Sequence, residues 1–244
     1  MKTSVNWQER SEMLIGADGL KKLTAAHVLV AGLGGVGGMA AEMLCRAGIG
    51  EMTIADSDTF SASNRNRQLQ ALTSTEGQSK ADVVAARLLD INPDLKLHVS
   101  KQYVSDEFTL ALLKTAHYDY VLDAIDTLSP KSFFIFHAVE LGYPIVSSMG
   151  SGAKLDPSMV RVADISETYQ CTFAFDIRKR LRRMGLQTGV QTVFSPEPVI
   201  KGSIVHQEGL QNKKSRIGTI SYMPAVFGCF CASVVIRALL GNPQ

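Results

Sequence analysis

His27-Val28-Leu29-Val30-Ala31-Gly32-Leu33-Gly34-Gly35-Val36-Gly37 is the stretch whose reading decides the fold. Val28 to Ala31 reads as a buried strand, the glycines as a tight turn, and Gly38 to Gly48 as a helix. A glycine turn between strand and helix lets a phosphate come close to the backbone. The N–H groups that open the helix have no partner within it, and the helix dipole favours an anion there. Residues 27–48 therefore read as a nucleotide-phosphate cradle.

Working outward, Met52 to Ala55 reads as a second strand with Asp56 at its carboxyl end. Asp56 lies 19 residues after Gly37, close to the spacing of about 20 at which an acid meets the ribose hydroxyls in dinucleotide folds. Glycines and acid alone say only that a nucleotide binds, and they fit a nicotinamide or flavin enzyme equally well. Ser63-Asn64-Arg65-Asn66-Arg67-Gln68 adds two arginines, and Lys80 opens a helix that runs to Ile91. A dehydrogenase has no evident use for these cations. A triphosphate does, because arginine gives planar forks to phosphate oxygens and lysine a mobile point charge.

Further strands are expected at Leu95–Val99, Tyr118–Leu122, Pro144–Ser148, Val160–Ile165 and Gln191–Phe194, with helices at 106–116 and from Ser129-Pro130 to Leu141. Strands alternating with helices make a doubly wound, Rossmann-like α/β fold, its sheet mostly parallel and covered by helices on both faces. Asp123 and Asp126 then fall at the carboxyl edge of the sheet. Magnesium takes one or two carboxylates beside phosphate oxygens, and Asp126 is the metal candidate. Asp123 stays open between that role and a structural hydrogen bond. Residues 172–183 read as a helix with Ile177, Leu181 and Met184 inward. Its Arg178, Lys179, Arg180, Arg182 and Arg183 are either a solvated face or a contact for a polyanion. Residues 201–218, with Lys213, Lys214 and Arg216, read as a polar loop. Arg10 alone reads as a surface charge in a leading helix that Gly16 breaks.

The bulk numbers leave this reading intact. The chain has 244 residues and a net charge of +2, so any nucleic-acid site is a local patch. Its four cysteines form no C-x-x-C pair. They call for neither zinc nor disulfides, and Cys171 reads as a half-buried thiol. That cysteine usage fits a reducing cytoplasm, and the first residues lack the apolar run of a signal peptide. Residues 220–236 are apolar but fall short of the roughly 20 residues of a membrane span. Pro224 and Gly228 also interrupt them, so they read as a buried closing helix.

Gly32-Leu33-Gly34-Gly35-Val36-Gly37, Asp56-Ser57-Asp58, Asn64 through Gln68, Lys80, Ile91-Asn92-Pro93 and Asp123 through Asp126 together resemble the ubiquitin-activating enzyme superfamily. One branch of it, the tRNA threonylcarbamoyladenosine dehydratases, is similar over nearly the whole chain, through Asp123–Lys131, Val162–Ser166, Arg178–Leu181, Val193–Glu197 and Gly218–Pro224. The resemblance implies one adenylating domain over 1–244, with nucleotide binding at about 8–150 and a substrate-facing part at about 151–244. It implies ATP and Mg2+ as cofactors and ATP contacts from Gly32, Gly34, Gly35, Gly37, Asp56, Asp58, Asn64, Arg67, Gln68, Lys80, Asp126 and Thr127. Arg67, Lys80 and Asp126 become catalytic, with Asp126 on the metal. Arg10 reaches the phosphates of a partner copy, which requires a homodimer. The implied reaction is cyclisation of threonylcarbamoyladenosine beside a tRNA anticodon, with Arg178, Lys179, Arg182, Arg183, Lys213 and Lys214 on the tRNA. A sulfur-transfer protein is left as a further partner. An activator of a sulfur-carrier protein and an NAD-dependent oxidoreductase remain as rivals.

Overall fold

The computed structural model describes residues 6–206 and 215–241. Strand β1 (His27–Ala31) is buried along its whole length. Its side chains alternate, as a strand's period of two requires: Val28 and Val30 face one helical layer, Leu29 and Ala31 the other. Around it stand β2 (Glu51–Ala55), β3 (Lys96–Ser100), β4 (Tyr120–Asp123), β5 (Ile145–Ser148), β6 (Arg161–Asp164) and β7 (Gln191–Phe194). The spatial order is β3-β2-β1-β4-β5-β7-β6. Every neighbouring pair is parallel except β6 with β7.

One face of the sheet is covered by α2 (Gly37–Ala47), α3 (Lys80–Ile91) and α7 (Tyr222–Leu239), with the end of α1 (Glu9–Ala25) beside them. The other face carries α4 (Asp106–Lys114), α5 (Leu128–Glu140) and α6 (Thr172–Arg183). The expected break in the leading helix falls at Gly16, whose φ of 73° kinks α1. Helix α7 is long and apolar enough by composition to cross a membrane. Here it is a partly buried core helix, with Met223, Phe227, Cys231 and Val235 turned into the sheet.

The structure departs from the expected polar loop at 201–218. There β8 (Ile204–His206) and β9 (Ser215–Ile217) pair antiparallel as a two-stranded ribbon. Ile204, Val205 and Ile217 are β-branched and prefer the extended chain. Strands of three residues are too short to show a period among charges. Lys213 and Lys214 lie outside the described residues.

Candidate active site

The order of strands reverses between β1 and β4, and in such sheets the crevice beyond the carboxyl ends at that point takes the ligand. Gly32 to Gly37 leaves β1 there. Gly32 has φ of 86°, and a Cβ on it would stand 2.8 Å from the Ala124 carbonyl oxygen. A Cβ on Gly37 would collide with the Gly32 carbonyl oxygen, so the turn closes only with glycine at both ends. Asp56 reaches back across this turn from β2. Its Oδ2 accepts the Leu33 N–H at 2.6 Å and its Oδ1 the Asp58 N–H at 2.8 Å. Burial pushes the Asp56 carboxyl above its ordinary range, against the pull of Lys80 and of the two N–H groups.

The Asn–Arg segment folds over the same crevice. Asn64 caps a short 3-10 turn by accepting the Ser61 N–H, while the Asn66 amide donates to the Thr219 carbonyl at 2.9 Å, tying this loop to the approach to α7. Arg67 donates through Nη1 to the Ser63 carbonyl at 3.0 Å and to Asn66 Oδ1 at 2.9 Å. Lys80, at the first turn of α3, is buried, and its Nζ lies 2.8 Å from Asp58 Oδ2. Ser79 caps the same turn by accepting the Asp82 N–H. Gln68 is buried against the position of Gly34, and among the described residues its Oε1 has no partner. The same holds for Oε1 of Gln70, beside Gly38.

The two aspartates at the carboxyl end of β4 part company. Asp123 is fully buried, 2.7 Å from Lys131 Nζ, and it accepts the Ser147 hydroxyl and the Ile125 N–H. That resolves the open choice: Asp123 is held in a buried ion pair and hydrogen bonds. Lys131 also donates to the Ile125 carbonyl at 3.1 Å, so the pair fixes the turn that carries Asp126. Asp126 itself is exposed at the carboxyl edge, and Thr127 begins α5 beside it. Neither Lys131 nor Ser147 is singled out by the sequence. Lys131 sits at helical spacing after Thr127, where the apolar residues of α5 give no hint of a buried cation.

Other site residues lie elsewhere. Arg10 is exposed on the first turn of α1. The adjacent Gln8 packs against Gly48 at the far end of α2, so Arg10 sits toward the opposite edge of the sheet from its own cradle. On α6, Lys179, Arg180, Arg182 and Arg183 are exposed. Arg178 is turned inward, donating to the Thr168 carbonyl at 2.7 Å and to the Thr168 hydroxyl, where it pins the turn at Ile165–Thr168. Cys171 is buried at the start of α6.

A doubly wound sheet with a glycine cradle after β1, an acid after β2 and a lysine opening α3 defines a nucleotide-binding enzyme of the adenylating class. The chain belongs to the ThiF family, whose model matches residues 8–244. It is 37% identical to the tRNA threonylcarbamoyladenosine dehydratase of Bacillus subtilis (strain 168), over 95% of this chain and 93% of the relative. The E. coli tRNA N6-threonylcarbamoyladenosine dehydratase, solved in complex with ATP, superposes with a TM-score of 0.87 at 31% identity, covering 98% of this chain and 97% of that one. The complex of the same enzyme with AMP gives 0.87 at 32% identity with the same coverage.

Proposed function

We propose that this protein uses ATP to dehydrate N6-threonylcarbamoyladenosine beside the tRNA anticodon to its cyclic form. The observation that carries the reading is the crevice at the β1–β4 switch point, with Asp56, Arg67, Lys80 and Asp126 around one glycine cradle. The family likeness extends past this nucleotide half to residue 244. The E. coli relative is solved with ATP and with AMP, the nucleotide consumed in the first step of this reaction and the one released in the second. A nucleotide fits the residues present: a Cβ at Gly34 would meet nothing nearer than Gln68 Nε2 at 3.7 Å, and among the described residues the buried Gln68 Oε1 has no partner.

In this reading the threonyl carboxylate attacks the α-phosphorus of ATP, and pyrophosphate leaves. Arg67 and Lys80 neutralise charge on the phosphates, an electrostatic contribution that is largest in a site from which water is excluded. Asp56 accepts the ribose hydroxyls. Asp126 would hold Mg2+, which when bound neutralises further phosphate charge. A neighbouring atom of the same nucleoside then closes on the activated carbonyl, and AMP leaves with one carboxylate oxygen. Ring closure is intramolecular, so orientation supplies much of its acceleration.

The chain acts as a homodimer, with Arg10 of each copy serving the partner's phosphates. Two observations support this: the position of Arg10 away from its own cradle, and the exposed Trp7, Met13 and Leu14 beside it. Residues 8–150 bind the nucleotide and residues 151–244 meet the tRNA, with Lys179, Arg182 and Arg183 on its phosphates, joined by Lys213 and Lys214, which lie outside the described residues. The enzyme works in the cytoplasm, where its substrate is. The sulfur-carrier alternative loses ground because no C-x-x-C pair is present.

The test is direct. Protein, ATP, Mg2+ and modified tRNA are mixed, and the digested nucleosides are weighed. The expected product is lighter than threonylcarbamoyladenosine by one water and appears with one AMP. An unchanged nucleoside contradicts the reading.

A further inference from the structure

The opposite edge of the sheet holds a second constellation, which the adenylation chemistry does not use. On one face of three adjacent parallel strands stand His27 of β1, Glu51 of β2 and His98 of β3. His27 is in register with Glu51, and Thr53 is in register with His98. Glu51 Oε1 accepts a hydrogen bond from His98 Nε2 at 2.9 Å, whose proton an ion would replace, and lies 3.7 Å from His27 Nδ1. One ligand atom from each of the three falls within 4.8 Å of the others.

The details favour an ion. His27 Nε2 is 2.9 Å from Thr53 Oγ1. In the tautomer that donates this N–H, the Nδ1 lone pair faces Glu51. The 3.7 Å gap between Nδ1 and Oε1 is too long for a hydrogen bond. It is close to the edge of a coordination tetrahedron, since two donors each about 2.0–2.1 Å from one zinc stand about 3.3 Å apart. Two imidazoles, one carboxylate and a fourth position for water make a donor set that zinc accepts. Thr53 supplies the outer hydrogen bond that orients a ligating imidazole.

We propose that His27, Glu51 and His98 form a binding site for a divalent transition ion of zinc's class, distinct from the nucleotide crevice. β1 spans the distance between the two, about 13 Å at roughly 3.3 Å per residue. The ion ties β1 and β2 to the edge strand β3, several of whose side chains are exposed. The site is independent of the adenylation reading.

The experiment is a zinc titration of chelator-stripped protein by calorimetry, with cobalt(II) absorption as a second probe of the same site. The expected result is one zinc per chain and the visible bands of four-coordinate cobalt. His98→Ala and Glu51→Gln are each expected to weaken zinc by about a hundredfold or more, and Thr53→Val by about 10–100-fold. ATP affinity stays unchanged in all three. Thermal unfolding without metal checks that each variant folds, and added zinc is expected to raise the midpoint of the wild type and not that of His98→Ala. No zinc uptake by the wild type, or uptake undiminished in His98→Ala and Glu51→Gln, overturns the proposal.

Discussion

The nucleotide crevice and helix α6 each gather several cations, and they hold them in opposite ways. In the crevice Lys80 is buried 2.8 Å from Asp58, and Arg67 is braced by Ser63 and Asn66. On α6 the cations stand in solvent, except Arg178, which is engaged by Thr168. Stabilising a reacting phosphate requires charge fixed in place before the reaction, because reorganisation at that moment is costly. Capturing a polyanion requires charge density alone, and the release of counterions drives it. In the proposed function the braced set serves the transition state and the exposed set attraction, so each set should fail differently when cut.

The largest effect is expected beneath the crevice. Lys131→Met leaves Asp123 charged, buried and unpaired, and removing one partner of such a pair costs about 3–5 kcal/mol. Thermal unfolding is expected to show this loss, and Asp123→Ala added to Lys131→Met to recover part of it. Within the crevice, Lys80→Ala and Asp126→Ala are each expected to lower kcat by about a hundredfold or more and to leave tRNA affinity as it is. Near-normal turnover removes both from the machinery. Replacing Lys179, Arg182 and Arg183 together should do the reverse. ATP affinity holds, while the slope of log affinity for tRNA against log salt becomes shallower by about 0.7–0.9 for each phosphate no longer neutralised. Equal slopes in variant and wild type take α6 off the tRNA.

The smallest effect is a pH dependence. Burial raises the Asp56 pKa, so its carboxylate is lost at a higher pH than an ordinary one. In the proposed function Asp56 accepts the ribose hydroxyls in its ionised form, so ATP affinity is expected to weaken as pH falls through that raised value. The contribution of Asp56 to folding has the opposite sign. With the folded pKa raised, it is fully present below the unfolded pKa and fades as pH rises through the folded one. Calorimetry with ATP and unfolding curves over the same pH range should therefore move in opposite directions.

Much of the fold is legible in the sequence because its signals are local. Strand β1 shows as an unbroken apolar run from Val28 to Ala31, buried along its whole length, the apolar face of α6 follows a period of 3.6, and α3 and β7 fall where the sequence pattern sets their bounds. Glycine spacing locates the turn after β1, since a Cβ at Gly37 has no room. What stays hidden depends on neighbours distant in the chain. Asp123 meets Ser147 from the next strand, and Arg178, spaced for the exposed face, curls back to a turn ten residues earlier. His27, Glu51 and His98 share no motif, and only the register of three strands assembles them. The short strands at 204–206 and 215–217 escape notice for want of length.

Transfer of the adenylyl group of ATP to a carboxylate of the modified nucleoside is the central step of the proposed function. It is tested by preparing tRNA whose threonyl carboxylate carries oxygen-18 and weighing the nucleotide products after one turnover. The prediction is one heavy oxygen in AMP and none in pyrophosphate. Heavy oxygen in inorganic phosphate, or AMP without label, contradicts it.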